Sequence, residues 1–193
     1  MPVDWEERYK EGSVADAKPA VVLADNAHLL PAGGMALDIA CGLGGNALFL
    51  ARAGMETAAW DSSETAIGKL AAFAREQGLP VTTQVRDVVA APPEAAGYDV
   101  IAVSRFLERE LVPSLIAALR PGGVLFYQTF NRSRVSDRGP GSDRFRLADN
   151  ELLELFAPLR IRVYREEDRL GDLTRGWRDE AQLVAHKPCV SET

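Results

Sequence analysis

Short apolar runs alternate along this chain with longer amphipathic stretches, and glycine or proline stands at many of the junctions. Met35 to Ala40, Glu56 to Trp60, Val81 to Arg86, Tyr98 to Val103 and Val124 to Phe130 have the length and apolar content of buried strands. Asn46 to Ala53, Ser63 to Gln77 and Leu111 to Leu119 carry apolar residues at helical spacing, as Ala47, Leu48, Leu50 and Ala51 do in the first. Gly78-Leu79-Pro80 and Pro121-Gly122-Gly123 mark helix ends, because glycine supplies a left-handed cap and proline blocks continuation. Pro113 belongs in the first turn of its helix, where a missing N–H is harmless. This alternation predicts an α/β fold, a doubly wound and mostly parallel sheet with helices on both faces.

The two flanks read differently. Trp5 to Lys10 and Lys18 to Leu30 are predicted helices, the second from Ala20, Leu23, Ala24, Ala27 and Leu30, with Pro31-Ala32-Gly33-Gly34 ending it. Beyond Phe130 comes an irregular polar stretch, Asn131 to Arg146, then a helix from Ala148 to Phe156 and two β-rich runs, Leu159 to Arg165 and Glu180 to His186. Two strands joined without a helix pair antiparallel, so the sheet should end in a C-terminal antiparallel hairpin.

A length of 193 residues with 47% hydrophobic content suffices for one sizeable core and is short for two complete domains. The formal net charge of -6 argues against a general attraction to nucleic acid or to anionic membrane. No apolar run reaches the roughly 18 residues of a membrane span. The first residues, Met1 to Arg8, carry acids where a signal peptide would be basic. With Cys41 and Cys189 outside any C-x-x-C spacing, reduced thiols and a cytoplasmic location are expected.

The chemistry gathers around Asp38-Ile39-Ala40-Cys41-Gly42-Leu43-Gly44-Gly45, between the first predicted strand and helix. Glycines there let a ligand approach the backbone and meet helix N-terminal amides. Ala40-Cys41-Gly42-Leu43-Gly44-Gly45 also satisfies a dinucleotide-binding template, so the loop alone is compatible with two cofactors. Three acids narrow the choice. Asp38, inside the strand, can hold the loop by accepting its amides and can favour a ligand ammonium group, whereas it would repel a pyrophosphate. Asp61 follows the second strand, where an acid accepts ribose hydroxyls, and Asp87 in Arg86-Asp87-Val88 can accept from an adenine amino group while the Val88 amide donates to the ring. Each acid taken singly is also readable as a solvated strand end.

Leu37-Asp38-Ile39-Ala40-Cys41-Gly42-Leu43-Gly44-Gly45-Asn46, then Asp61, Arg86-Asp87-Val88, Tyr98-Asp99-Val100-Ile101 and Leu119-Arg120-Pro121-Gly122-Gly123 resemble the successive motifs of class I methyltransferases over residues 35–130. The resemblance implies a Rossmann-like sheet of seven strands with the last inserted antiparallel, S-adenosyl-L-methionine as cofactor, and contacts from Ala40, Gly42, Gly44, Asn46, Asp61, Ser62, Asp87, Val88 and Ser104. Trp5-Glu6-Glu7-Arg8-Tyr9-Lys10 and Arg105-Phe106-Leu107-Glu108-Arg109 look like the tellurite-resistance branch of that family, with a weaker likeness to thiopurine methyltransferases. That likeness implies an N-terminal cover, residues 1–30, with Arg8 near the cofactor carboxylate and Tyr9 near the site, although Trp5 and Tyr9 also read as the apolar face of an ordinary capping helix. The expected organisation is one domain over 1–193, with a cofactor core at 35–130 and a loop, helix and hairpin at 131–193.

Methyl transfer from a sulfonium is an in-line displacement, so alignment and desolvation carry it and a base is needed only for a protonated acceptor. Arg105, fixed by the scaffold after the fourth strand, is the candidate substrate contact, beside Ser104 at the carboxyl edge of the sheet. The 131–146 stretch holds five arginines against two aspartates and reads either as a lid over an anionic substrate or as a solvated loop. The Asn/Asp-Pro-Pro-Tyr tetrapeptide of amino-group methyltransferases is absent, and His28 and His186 support neither a triad nor a metal site. The expected substrate is a small molecule, a chalcogen oxyanion (suggested by the resemblance and the arginines) or a thiol. A non-catalytic sensor of the same ligand stays open. A nicotinamide-dependent oxidoreductase is weakened because no tyrosine has Lys four residues on. Monomer and homodimer are both compatible with the chain.

Overall fold

The computed structural model describes residues 5–189, so the first four residues of the Met1 to Arg8 start lie outside the described residues. Seven strands form one sheet: β1 (Met35–Ile39), β2 (Glu56–Asp61), β3 (Val81–Val85), β4 (Tyr98–Ser104), β5 (Leu119–Phe130), β6 (Arg160–Arg165) and β7 (Glu180–His186). Their order is β3-β2-β1-β4-β5-β7-β6. The five strands on the β3 side pair in parallel, while β7 runs antiparallel to both β5 and β6. The predicted terminal hairpin is therefore present, with β7 inserted between β5 and β6.

The described residues form six α-helices: α1 (Trp5–Lys10), α2 (Val21–Asp25), α3 (Gly45–Arg52), α4 (Glu64–Glu76), α5 (Val112–Ala118) and α6 (Glu151–Leu155). Strand periodicity decides which side each packs on. Ile101, Val103, Leu125 and Tyr127 meet Leu111, Leu115, Leu152 and Phe156 from α5, α6 and their approaches. On the opposite face, Val100, Ala102, Phe126 and Val184 meet Val22 and Leu23 of α2 and Leu50 of α3. Leu70 of α4 joins Ala47 and Leu48 of α3 on Ala59. Ser63 caps α4 by accepting from the Ala66 N–H at 3.1 Å.

Three elements depart from the sequence reading. The helix expected over Lys18 to Leu30 shrinks to α2 and a short turn at Ala27–Leu29. Pro19 disfavours a helical Lys18, and Ala20, extended at ψ 144°, donates its N–H to Asn46 Oδ1 rather than to a helical carbonyl. The Pro121-Gly122-Gly123 helix stop lies within β5, because Gly122 N–H donates to Lys187 O and Lys187 N–H to Gly123 O, carrying the ladder with the C-terminal strand outward. The helix expected from Ala148 begins at Glu151, since Asn150 is left-handed at φ 59° and the Glu151 carboxylate accepts from the Ala148 N–H.

Helix α1 buries no residue; two charged contacts tie it to α4. The Glu6 carboxylate accepts from the N–H groups of Glu64 and Thr65 at the α4 N-terminus, and Lys69 Nζ donates to the carbonyls of Tyr9, Lys10 and Gly12 at the α1 C-terminus. Each charge has the sign that complements the helix end it meets. Among the described residues, no helix is long and apolar enough to cross a membrane.

Candidate functional site

The loop between β1 and α3 turns through three left-handed residues, Ala40 at φ 52°, Gly42 at 52° and Gly44 at 82°. Ala40 is the costly one, a side-chain-bearing residue in a conformation that favours glycine. Gly44 is the α3 N-cap, and a Cβ there would run into Leu70.

Two buried acids hold the loop from below and from the side. Asp38 Oδ1 accepts from Asn46 Nδ2 at 3.1 Å and Oδ2 from the Ala47 N–H at 3.0 Å. Asn46 then spans to Ser104, donating to its Oγ at 3.1 Å, and accepts from the Ala20 N–H at 2.8 Å. Asp61 Oδ2 accepts from the Gly42 N–H at 2.8 Å and Oδ1 from the Ser63 N–H at 2.9 Å, while its own carbonyl receives the Arg86 N–H. Ser62, next to it, is exposed. One cluster thus brings together Asp38, Ala40, Gly42, Gly44, Asn46, Asp61 and Ser104 at the carboxyl ends of β1, β2 and β4.

Burial pushes the Asp38 carboxyl up to about 7, outweighing the lowering effect of its two hydrogen bonds. Its unfolded value lies near 3.9. Between those values the folded chain holds a proton that the unfolded chain has released, so stability falls as pH rises through that window. A carbon-13 titration of the apo chain should show the Asp38 carboxyl changing near pH 7, and a midpoint below about 5 would contradict this account.

The N-terminal calls divide. The Tyr9 phenol lies over Gly42, within 2.8 Å of where a Cβ would stand, and burial followed by the nearby Asp61 pushes it up to about 12. Arg8 is exposed, its guanidinium 5.4 Å from the Trp5 ring, which itself stacks on Tyr9. At the end of β3, Asp87 is exposed, its Oδ1 accepting from the N–H groups of Val89 and Ala90, while the Val88 side chain is in the core.

The arginine loop is more ordered internally than a solvated reading suggests. Arg146 is buried and donates to the carbonyls of Pro140, Asn131 and Arg138, so it serves the loop and is unavailable to a ligand. Asp179 accepts from the Val135 and Ser136 N–H groups and the Ser136 hydroxyl. A recess of about 400 Å³ opens within this loop, lined by Arg134, Ser136, Asp137, Gly139 and Arg146 and by none of the glycine-loop residues. Sequence reasoning missed Gln128, Glu180 and Gln182, all buried polar residues on one face of β5 and β7. The available signal was three long polar side chains within strands otherwise assigned to the core.

A sheet of this order, with an inserted antiparallel strand and an acid-held glycine loop after β1, is the Rossmann-like fold of methyltransferases. A family model described as tellurite resistance protein TehB matches residues 13–179. The chain belongs to that family. It is 32% identical over 145 residues to the probable S-adenosyl-L-methionine-dependent methyltransferase TehB of Haemophilus influenzae, covering 71% of this chain and 49% of that protein. A ubiquinone biosynthesis O-methyltransferase of Methylococcus capsulatus is 34% identical over 113 residues, 55% of this chain and 48% of its own length. The crystal structure of TehB from Haemophilus influenzae superposes with a TM-score of 0.70 at 26% identity, covering 95% of this chain and 67% of that one. The chain spans about half the length of the curated relatives it matches.

Proposed function

We propose that this chain transfers the methyl group of S-adenosyl-L-methionine to a small molecule. The observation that carries the reading is Asp61, buried at the end of β2 with its carboxylate fixed on the Gly42 amide. In this reading Asp61 would accept the ribose hydroxyls, and Asp87 and the Val88 amide would read the adenine. Asp38, buried beneath the loop with its carboxyl pushed up to about 7 by that burial, would be drawn into its charged form by a ligand ammonium. Ala40, Gly42, Gly44, Asn46, Ser62 and Ser104 would line the remaining contacts, with Tyr9 and Arg8 closing from α1. Bound there, the cofactor supplies an electrophilic methyl on a sulfonium.

The chain's own part is alignment and exclusion of water. The Asp38–Asn46–Ser104 relay fixes the floor between β1 and β4, and α1 covers the glycine loop. The acceptor proposed is a soft nucleophile, a chalcogen oxyanion or a thiol, approached from the β4 and β5 ends. The arginines there and the family name support the oxyanion. A non-catalytic sensor of the same ligand is the second reading.

Calorimetry is the first test. S-adenosylhomocysteine should bind and NAD should not; binding of NAD alone would overturn the proposal. Labelled methyl should then appear on tellurite, selenite or a member of a thiol panel. Cofactor binding without any methyl release across that panel would favour the sensor.

A further inference from the structure

The connection between β3 and β4, residues 86–97, is irregular and mostly exposed. Its far end is fixed on α5, where the Ala96 and Gly97 N–H groups donate to Ala117 O and Ala118 O, both at 2.9 Å. Its near end and its middle are held by one residue. The Arg86 N–H donates to Asp61 O at 2.8 Å, and the guanidinium reaches forward along the chain, Nε to Ala91 O at 2.7 Å and Nη2 to Pro92 O at 2.6 Å. The same guanidinium lies 3.9 Å from the centroid of the Trp60 ring, which Tyr98 meets edge-on with the two ring centroids 6.1 Å apart.

A cation is poorly placed there without compensation. The Arg86 side chain is only 13% exposed, and the carboxylate it meets, Glu94, stands 3.6 Å away and is 76% exposed, so that pair adds little. Two carbonyls and an indole face compensate the burial instead. What they secure is the turn that begins at Asp87. The Val88 side chain holds the start of that turn in the core, and Arg86 draws its end back to β3. Inside the turn Asp87 Oδ1 accepts from the Val89 and Ala90 N–H groups, and Asp87 O from the Ala91 N–H. Asp87 Oδ2 and the Val88 N–H have no partner among the described residues. An acceptor and a donor thus stand free on consecutive residues.

We propose that Arg86 is a positioning residue for base recognition: stacked on Trp60 and donating to Ala91 and Pro92, it sets the Asp87 carboxylate and the Val88 amide at the spacing of an adenine edge. This role rests on the methyltransferase reading for the identity of the ligand. Adenine offers an amino donor beside a ring-nitrogen acceptor, the complement of Asp87 Oδ2 and the Val88 N–H. Hypoxanthine reverses that pattern, an oxygen acceptor beside a ring N–H donor, and meets like with like. Arg86 touches neither the base nor the methyl group and acts only through the turn. A lysine keeps the charge over the indole but loses the planar fork that spans both carbonyls.

S-adenosylhomocysteine and S-inosylhomocysteine are the probes, titrated by calorimetry. Wild type should favour the adenosyl ligand about 10-fold or more, from hydrogen bonds that the inosyl base cannot make. Arg86→Met should hold that preference to within about 3-fold, chiefly by binding the adenosyl ligand more weakly, and Arg86→Lys should fall between it and wild type. A merely structural role would weaken both ligands alike and leave their ratio unchanged. Discrimination against a 2′-deoxy analogue should survive in both variants, because the backbone N–H that meets Asp61 is still present. An unchanged base preference in Arg86→Met would overturn the role of Arg86, as would a loss of deoxy discrimination alongside it or a wild type that binds the two bases equally. Failure of wild type to bind either ligand would sink the methyltransferase reading and the adenine role with it, whereas binding with unaltered preference sinks Arg86 alone.

Discussion

Gly45→Ala should lower the melting temperature by roughly 5 to 15 °C, a loss of about 2–4 kcal/mol. Gly45 opens α3, and a Cβ added to it would lie 2.6 Å from the carbonyl carbon of Lys18 and closer still to its oxygen. Both are backbone atoms, so no side-chain rotation relieves the clash. The Lys18 to Ala20 segment would have to move outward, drawing the Ala20 N–H from Asn46 Oδ1. Asn46 would then shift on Asp38 and Ser104, and α2, whose Val22 and Leu23 are fully inside, would follow. Gly68→Ala is the matched control. It lies in α4 with nothing within 4 Å of an added Cβ, so it should gain about 0.5–1 kcal/mol from a stiffer unfolded chain and better helix propensity. A Gly45→Ala melting temperature within about 2 °C of wild type would show that the crossing segment yields freely.

The same crossing explains where the sequence misled. Lys18 to Leu30 has the apolar spacing of a helix, yet its first turn is extended because Ala20 finds its partner on α3, a contact with no local signature. Strands were easier. Glu180 to His186 was read to its exact ends, since it lies between two partners and every inward position had to be apolar or paired. In the site, Asp38 and Asp61 were legible from position alone: an acid inside the strand before a glycine turn, and one at the end of the next strand. Glu180 and Gln128 were not, because a polar residue in a strand reads as facing solvent until the helix above it is known. Arg146 was misleading for the reverse reason. A charged residue in a loop is expected outside, and only the converging carbonyls of Asn131, Arg138 and Pro140 make its burial tolerable.

Asp61→Ala should weaken S-adenosylhomocysteine binding about 100-fold, equivalent to about 2.7 kcal/mol, while leaving the circular dichroism spectrum intact. Two effects combine. The carboxylate fixes the Gly42 amide at 2.8 Å and the Ser63 amide at 2.9 Å, so its removal frees two buried donors and loosens the turn that a ligand must approach. It also removes the proposed acceptor for the ribose hydroxyls. A deoxy ligand separates these contributions. Wild type should bind a 2′-deoxy analogue of the product more weakly than the product itself, whereas Asp61→Ala should bind the two alike, because the partner of the missing hydroxyl is gone from both complexes. If the variant still discriminates against the deoxy analogue as strongly as wild type does, Asp61 serves the loop and not the ribose. Asp61→Asn refines the same point. Its amide oxygen can still accept from one backbone N–H, so it should recover part of the loop anchoring without restoring a charged acceptor.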